Sequence, residues 1–586
     1  MKKYIFILIM IFGTSGCDDF LIEQNVSDIS YEFYDTEDGI EALVWASYTH
    51  LRSFGGSQEG LKVSNHGTDI WTFTNVSDGN EFHTYTTDIS PVNGNFNNLW
   101  NAFYKGINSC NIAINRIPTT PSSGGVLRTE EGRNARIGEV RFLRAFYYFT
   151  LVQMFGKIPL LLEENIEVLD EMKRESVANV YNAIIEDLRI ASKVLPNSQS
   201  ENARPTKAAA QHLLAKVYLT RGSAVSDQRG QQSFDMDSAA FYAQKVITAR
   251  GPLLPDYDEA RRWQNQRNKE VLFAVEYSQN RLVNGSGNPS HRFYVIQYET
   301  VPGMARDVPN DVAWVRLRPS DLLYDLYDRK NDSRFYKSFK TTWIANRANN
   351  IPLWTTENAP SPELVGQRRF TVGDTALYVS FHKDVPPSAI NQTRYRWLPR
   401  ERFTDRLFPQ YRYFMDPNRL APNDNVGTLN FKLLWLSETY LIAAEAFGRL
   451  GDFGQAADYI NQVRLRAAYK EGEEKPAQFF QVEGGSIEEL TKSTENEMLI
   501  SADMISSPIS LINFILEERA REMPADYMRW FDLVRTETFF ERVTKYNPSA
   551  APLVRPFHKL RPIPQNHIDR LRNAGPIEEE QNEGYY

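Results

Sequence analysis

Side chains that could carry out catalysis are dispersed along this sequence and form no recognised catalytic pattern. There is no Gly-x-Ser-x-Gly turn for a nucleophile, no His-Glu-x-x-His zinc motif and no Gly-Lys-Ser/Thr phosphate loop. The eight histidines are widely spaced, and His212 lies in the helix-forming stretch 208–214, which favours a hydrogen-bonded structural histidine. A carboxylate pair for glycoside hydrolysis remains an open alternative, because such pairs have no fixed spacing in a sequence.

Two groups of acidic residues have simpler interpretations than catalysis. Glu517, Glu518 and Glu522 are interleaved with arginines on a predicted helix, a pattern typical of ion pairs on a helix surface. Asp416 and Asp424 lie in a turn-rich stretch that could hold calcium, although their spacing does not match an EF-hand loop. We therefore predict no cofactor and leave a structural calcium ion open.

The first seventeen residues have the pattern of an export signal. Lys2 and Lys3 precede a short apolar run, and small residues then lead to Cys17. The run is too short to span a bilayer, and its flanks are typical of a cleaved signal peptide. A cysteine after small residues resembles a bacterial lipoprotein site, with the signal at 1–16 and an acyl group such as palmitate on Cys17. An ordinary signal peptide cut elsewhere is the alternative, since Thr14 stands where leucine is usual.

Processing at this site would change the charge and the cysteine content of the chain. Loss of Lys2 and Lys3 takes the formal charge from -8 to -10, so the composition gives no support to nucleic-acid binding. With Cys17 acylated, Cys110 has no partner for an intramolecular disulfide, and packing must supply the stability. Residues 17–35 are polar and aperiodic, as expected of a tether, and lipid is the predicted membrane attachment because no later apolar run is long enough to span.

Apolar residues at helical spacing predict long helices in the body of the chain. Three of them cover residues 36–51, 96–117 and 138–155. Asn111 lies on the apolar stripe of the second helix, where a buried, hydrogen-bonded amide is the expected role. The third helix is apolar almost all round and should be enclosed on several sides.

Two later segments share a spacing that predicts paired helices. Ala215, Tyr218 and Gly222 have the same spacing as Ala444, Phe447 and Gly451, and a second amphipathic stretch follows each glycine. The small residue allows close helix approach, the aromatic ring fills the gap, and glycine ends the helix. The second copy resembles a tetratricopeptide repeat. A scaffold of stacked helical hairpins is therefore predicted.

Two segments, at about 53–95 and 267–425, lack the helical spacing of apolar residues. Strand-like pieces at 270–277 and 292–299 alternate there with runs rich in Asn, Pro and Gly. Long irregular segments in a folded protein are usually functional or disordered, and the scattered tryptophans favour order. The predicted fold is mainly α, with tetratricopeptide-like hairpins and, on one face, irregular, loop-rich segments that contain short strands.

Short strings of residues form an ordered set along nearly the whole chain. They are Cys17 to Leu21, Trp100, Tyr104, Asn111, Glu139 to Ala145, Phe155-Gly156, Pro159, Arg204 to Ala209, Glu438, Ala444 to Ala446, Asn461, Arg464, Arg529 to Arg535, Leu560 to Gln565, Gln581-Asn582 and Gly584-Tyr585. This set resembles the SusD/RagB family of outer-membrane nutrient-binding lipoproteins, which implies a helical scaffold with an irregular, loop-rich ligand-binding face. Glu583 and Met523-Pro524 depart from the family pattern, which leaves local geometry open there.

The resemblance implies a single domain over 36–586 and a function in binding. Such proteins are not enzymes; they are lipid-anchored at the outer membrane, face the cell exterior and hand a glycan or peptide to a SusC-like TonB-dependent barrel transporter. Three alternatives stay open: a peptide-binding member of the family, a helical scaffold that only organises protein partners, and a surface glycoside hydrolase.

No ligand contact transfers from the family residue by residue, so the candidates come from the irregular segments. A glycan site needs flat aromatic faces for the sugar rings and polar groups for the hydroxyls, in a concave surface. Partial burial in the core is the competing interpretation for each tryptophan. The candidates are Asp69, Trp71, Asn80, Tyr85, Trp314, Trp343 and Trp354.

Overall fold

The computed structural model describes residues 31–586 except 76–77, 123, 168, 202, 477–478 and 480–491. The predicted signal peptide, Cys17 and most of the predicted tether lie outside the described residues. Within the described part, no helix is both long enough and apolar enough to cross a membrane.

Helices make up about 47% of the chain and strands are few and short, which confirms the mainly α prediction. The helices of seven or more residues in the described part are α1 (Glu37–Thr49), α2 (Gln58–Ser64), α3 (Gly94–Arg116), α4 (Glu130–Phe155), α5 (Val177–Val194), α6 (Lys207–Gly222), α7 (Asp235–Arg250), α8 (Leu436–Arg449), α9 (Phe453–Ala467), α10 (Pro508–Glu522), α11 (Arg529–Arg535) and α12 (Phe539–Tyr546). Shorter α-helical turns lie at Asn80–Thr84, Tyr257–Arg261, Arg281–Asn284, Ser290–Phe293, Asp321–Asp325, Arg334–Ser338, Pro387–Asn391, Glu495–Met498, Gln565–Ile568 and Ile577–Glu580.

Hydroxyl side chains set the starts of several long helices. Thr36 begins α1 and Thr129 begins α4, and in each the side-chain oxygen accepts a hydrogen bond from a backbone N–H of the first turn. The helix predicted over 138–155 therefore starts at Glu130. Its first two turns were missed because their mostly polar residues carry no apolar periodicity.

The predicted helical hairpins are confirmed as α6–α7 and α8–α9. Tyr218 of the first hairpin stacks on Tyr242 at 6.0 Å between ring centroids, and Phe447 of the second stacks on Tyr459 at 5.7 Å. Gly451 turns the second hairpin with a φ of 90°, which glycine adopts without steric penalty. The shared spacing thus reflects equivalent ring contacts between the two helices of each pair.

The strands form small, separate sheets. They are β1 (Trp71–Thr72), β2 (Val271–Val275), β3 (Arg318–Pro319), β4 (Phe339–Lys340), β5 (Thr342–Ile344), β6 (Thr375–Val379), β7 (Arg396–Leu398), β8 (Gln410–Tyr411) and β9 (Phe431–Trp435). β1 pairs with β3, β2 with β9, and β4 with β8, all antiparallel. β6 lies between antiparallel β5 and parallel β7.

One of the two strand-like pieces was misjudged. Residues 270–277 contain β2, as expected, but residues 292–299 form no strand. Val295 and Ile296 are buried in a second hydrophobic cluster with Trp343, and the chain bends through a helical turn on either side of them. A short apolar run indicates burial and does not by itself distinguish a strand from irregular buried backbone.

Apart from Glu517, which is half-buried, the charged residues of α10 are buried, so the expectation of surface ion pairs was wrong for Glu518 and Glu522. Glu518 and Glu522 have no exposed surface, and the Nη1 atom of Arg334 lies 2.8 and 3.1 Å from their carboxylate oxygens. Arg519 is paired with Asp532 at 2.7 Å. The alternating charges face neighbouring elements that carry the opposite charges, which helical spacing alone does not reveal.

Two polar residues predicted to be structural are so. His212 is fully buried on α6, and its ring nitrogens lie 2.7 Å from Thr439 Oγ1 and 3.1 Å from Glu438 Oε2. Asn111 donates from Nδ2 to the backbone carbonyls of 161 and 163, and its Oδ1 accepts from Arg144. Both side chains are satisfied by the scaffold.

Candidate functional site

Three of the sequence-predicted ligand residues lie inside the protein. Asp69 is fully buried and accepts hydrogen bonds from Arg529 and Arg542. Trp71 is also fully buried and donates from Nε1 to a backbone carbonyl at 2.6 Å, and Tyr85 donates to another at 3.0 Å. Their polar atoms are engaged with protein groups, so these residues present no free face in this structure.

The other candidates in the irregular segments are distributed over several places. Trp343 is fully buried in the second hydrophobic cluster, and Trp354 is 3% exposed beneath the guanidinium of Arg369. Asn80 is exposed at the start of a short helical turn. Ligand contact at these positions stays a prediction.

Trp314 is one predicted residue that lines an open cavity. The cavity measures about 500 Å³, within the range of about 300–1,000 Å³ usual for small-ligand pockets. It lies among the turn before α2, the first turns of α3 and segment 277–292. We call it the Trp314 cleft, and its principal polar and aromatic lining residues are Arg52, Glu59, Asn98, Tyr277, Arg292 and Trp314.

Asparagines fix the loop that forms one wall of the Trp314 cleft. Asn284 Nδ2 donates to the carbonyl of Gly427 at 3.0 Å, and Asn288 Nδ2 donates to the carbonyl of Leu429 at 2.7 Å. Gly287 has a φ of 69°, and a Cβ there would lie 2.6 Å from the Gly427 carbonyl oxygen. The sequence Asn-Gly-Ser-Gly-Asn-Pro therefore encodes a loop held against segment 427–429.

Arg52 and Tyr277 fix the other end of this loop by hydrogen bonds to backbone carbonyls. Arg52 Nη2 donates to the carbonyl of Glu276 at 2.8 Å, and its guanidinium lies 4.9 Å from the centroid of the Tyr277 ring. The Tyr277 hydroxyl donates to the carbonyl of Gly55 at 2.9 Å. These bonds connect the turn before α2 to the loop after β2, so the cleft is preformed.

Arg292 is a buried cation of the cleft that has no counter-ion among the described residues. Its guanidinium lies 3.4 Å from the centroid of the Trp314 ring, and that of Arg316 lies 4.4 Å from the same centroid. Arg292 is 7% exposed, its Nε is buried without a hydrogen-bond partner, and no carboxylate of the described chain pairs with it. Burial, reinforced by Arg316, lowers the pKa of Arg292 to about 10, so it stays charged at neutral pH.

Other polar groups of the cleft are also available to a ligand. The side chains of Glu59 and Asn98 form no hydrogen bonds with the described residues, and Asn98 is exposed. Glu59 is the one carboxylate among the described lining residues, whereas glycoside hydrolysis uses two. A cation, an amide, a carboxylate and an aromatic ring suit the binding of a hydroxyl-rich ligand.

A second amide-rich cavity, of about 380 Å³, lies along α3. Several of its polar groups are already bonded: Asn108 donates to the carbonyl of Asn165, and the Tyr104 hydroxyl donates to that of Pro159. A ligand there would have to replace these bonds, so the Trp314 cleft is the stronger candidate.

Sequence reasoning named Trp314 but none of the other polar lining residues of the cleft. Arg292 lies within the piece interpreted as a strand, and Glu59 lies in the irregular segment 53–95. Arg52 follows one predicted helix directly, and Asn98 lies in another. The sequence signal that could have indicated this cleft was the asparagine- and glycine-rich composition of 284–288. Such a composition marks a loop shaped by side-chain hydrogen bonds to the backbone.

A scaffold of helical hairpins that presents a preformed cleft on irregular loops defines a ligand-binding protein. Two family models match the chain: one described as starch-binding and associating with the outer membrane, over residues 19–219, and one described as the SusD family, over residues 269–585. The second covers more than half of the sequence, and the protein belongs to the SusD family. Members of this family are nutrient-binding proteins of the outer membrane.

Relatives of similar length share this architecture. SusD-like protein P2 of Formosa agariphila is 26% identical over 554 residues, which cover 91% of each chain. A SusD homologue of Bacteroides thetaiotaomicron superposes with a TM-score of 0.65 at 19% identity, over 94% of this chain and 97% of that one. A laminarin-binding SusD-like protein superposes with a TM-score of 0.61 at 22% identity, over 94% of this chain and 100% of that one. At these identities the structural matches establish the fold.

Proposed function

We propose that the protein captures a glycan in the Trp314 cleft at the cell surface and passes it to a SusC-like TonB-dependent transporter. The observation that carries this proposal is the Arg292 guanidinium, stacked on Trp314 in a cleft of about 500 Å³ and lacking a carboxylate partner in the described chain. A buried cation in this position is stabilised when ligand oxygens accept its hydrogen bonds.

The composition of the cleft supports a glycan over an apolar ligand. Sugar rings carry hydroxyls that both donate and accept, and the cleft offers donors on Arg292 and Asn98 and an acceptor on Glu59. Trp314, which is partly exposed, supplies aromatic surface at the same place. Laminarin, which a structural relative binds, is a suitable first probe.

The predicted lipid anchor and tether are the basis for proposing that the protein acts at the cell surface. Acylation of Cys17 would anchor the protein in the outer membrane, and two or more acyl chains are needed for stable attachment. A polar tether between Cys17 and the helical body would let the body cover and uncover a transporter barrel, facing the cell exterior.

The proposal is tested with a soluble form that starts at Asp18. Native gels that contain single polysaccharides, laminarin among them, should retard this form, and calorimetry should give its affinity for the matching oligosaccharide. The double variant Glu59→Gln/Asn98→Ala should bind about tenfold more weakly, because two hydrogen bonds are lost at roughly 0.5–1.5 kcal/mol each.

The matched control is Glu583→Gln/Asn197→Ala, which changes the same residue types at exposed positions where neither side chain forms a hydrogen bond or ion pair with the described residues. Equal affinities of both double variants would contradict the assignment of the cleft. Absence of binding to any glycan, with transporter copurification retained, would favour the scaffold alternative. Binding of peptides alone would favour the peptide-binding one.

A further inference from the structure

A further cavity, about as large as the Trp314 cleft, is lined by four arginines and by no acidic residue of the described chain. It measures about 510 Å³ and lies in the irregular segment between Val301 and Thr404. We call it the arginine cavity, and the residues that define it are Arg369, Arg394, Arg396, Arg402, Tyr395 and Trp397. No Asp or Glu is found among its described lining residues, and none of the four arginines forms an ion pair with the described chain.

Two of the four arginines are fixed by the protein itself. The Arg369 guanidinium lies 4.5 Å from the centroid of the Trp354 ring, and its Nη2 donates to the carbonyls of Asn391, at 3.0 Å, and Thr393. Arg394 Nε donates to the carbonyl of Arg369 at 3.0 Å. These bonds hold both charges at the cavity and leave other guanidinium N–H groups unpaired, among them Arg369 Nε.

The other two arginines are free to contact a ligand. Arg396, on β7, and Arg402 are exposed, and their side chains form no hydrogen bonds with the described residues. Between them along the chain, Trp397 is partly buried and donates from Nε1 to Ser380 Oγ at 2.8 Å, which fixes the orientation of the indole ring. The cavity thus combines two fixed cations, two free cations and an oriented aromatic ring.

Four like charges in one cavity repel one another unless an anion joins them. The chain as a whole has a formal charge of -8, so this local excess of positive charge runs against the overall composition. Burial lowers the pKa of Arg369, as expected of a cation that has lost part of its hydration without gaining a counter-ion. Guanidinium groups bind planar carboxylates and sulfate-type oxyanions through paired N–H donors.

We propose that the arginine cavity binds the carboxylate or sulfate groups of an acidic saccharide. Tyr395 and Trp397 then contact the sugar rings while Arg396 and Arg402 contact the anionic groups. This inference rests on the proposed function for the assignment of the ligand as a glycan, and it narrows that glycan to an anionic class.

The test compares three oligosaccharides of equal length: a galacturonate oligomer, a sulfated galactan oligomer and a neutral glucan oligomer. Calorimetry with the soluble form should show that at least one anionic oligomer binds, and that the affinity falls as salt is added. The double variant Arg396→Gln/Arg402→Gln should lose about tenfold in this affinity, equal to about 1.4 kcal/mol. The two anionic arms distinguish carboxylate from sulfate.

The matched control is Arg128→Gln/Arg262→Gln, which removes the same charge from two exposed arginines elsewhere and should leave the affinity unchanged. Thermal unfolding of each variant checks the fold, and Arg396→Lys, which keeps the charge, should recover part of the affinity. Unchanged binding by the Arg396→Gln/Arg402→Gln variant, or equal loss in the control, would overturn the proposal.

Three further outcomes separate this inference from the proposed function. Binding of only the neutral oligomer, weakened by Glu59→Gln/Asn98→Ala, would overturn the anionic inference and keep the Trp314 cleft. Failure of all three oligomers would overturn the anionic inference, whereas failure of the whole polysaccharide panel would also overturn the proposed function. Binding of a polyglutamate peptide with displacement by no saccharide would replace the saccharide with an acidic peptide and so overturn the proposal.

Discussion

Asp69 and Arg529 form a bidentate ion pair inside the protein, with N–O distances of 2.7 and 2.6 Å across 460 residues of sequence. Arg542 adds a third hydrogen bond at 2.9 Å. Burial alone would raise the pKa of Asp69, but the two arginines outweigh it and hold the pKa below its ordinary value. The pair connects the irregular segment 53–95 to the carboxyl-terminal helices α11 and α12.

Replacing Asp69 by Asn should destabilise the fold by about 3 kcal/mol, because two buried guanidinium groups lose their shared anion. Urea unfolding followed by circular dichroism measures this change. Asp458→Asn, at an exposed position of α9, is the matched control and should change the free energy of unfolding by less than about 0.5 kcal/mol. A similarly small effect at Asp69 would contradict a structural role for the pair.

Asp69 also shows why the site was harder to predict than the fold. An acidic residue beside Trp71 in an irregular segment has the composition of a ligand site, and sequence gives no measure of its burial. The partners Arg529 and Arg542 lie in the carboxyl-terminal helices, so the pairing depends on tertiary contacts. The same holds for Arg292, whose stacking on Trp314 joins two parts of an irregular segment.

The helical scaffold was predictable because its signals are local. The spacing of Ala444, Phe447 and Gly451 reports contacts made within one hairpin, and Pro118 marks the end of α3. The irregular segments have no such period. Their conformation follows from side-chain bonds to distant backbone, such as that of Asn288 to the carbonyl of Leu429.

The buried pair of Glu445 and Arg535 should make stability depend on acid pH. Arg535 donates to both carboxylate oxygens of Glu445 at 2.8 Å. Burial raises the pKa of Glu445, but the charges of Arg535 and Arg449 dominate and lower it to about 2 from 4.5. A depressed pKa contributes stability that is complete above the unfolded-state pKa and disappears as the pH falls toward the folded-state pKa.

The variant Glu445→Gln should therefore unfold more easily than the wild type at neutral pH. The difference should shrink by about 2 kcal/mol by about pH 3, and by about 3 kcal/mol when the titration is complete. Urea titrations at a series of pH values give both curves. A difference that is constant with pH would show that the lost contact, and not the charge, accounts for the destabilisation.

The thiol of Cys110 should be unreactive toward alkylating reagents in the folded protein. The thiol is fully buried on α3, and burial raises its pKa to about 12, so about one molecule in ten thousand carries the reactive thiolate at about pH 8. Iodoacetamide should leave the soluble form unlabelled and should label it fully in concentrated guanidinium, as read by intact mass. Rapid labelling under native conditions would show that α3 opens locally.

Replacing Arg292 by Met should separate binding from stability. The guanidinium is buried without a carboxylate partner in the described chain, so its removal should leave the free energy of unfolding unchanged or higher, while glycan affinity falls at least tenfold. Arg52→Met in the same cleft provides the contrast, because Arg52 donates to the backbone carbonyls of 276, 283 and 284. That variant should lose about 1–3 kcal/mol of stability as those carbonyls lose their donor.

Calorimetric binding and urea unfolding on both variants give the comparison. If Arg292→Met destabilises the protein as much as Arg52→Met does, the stacked guanidinium is part of the scaffold, and the Trp314 cleft loses its principal ligand-binding group.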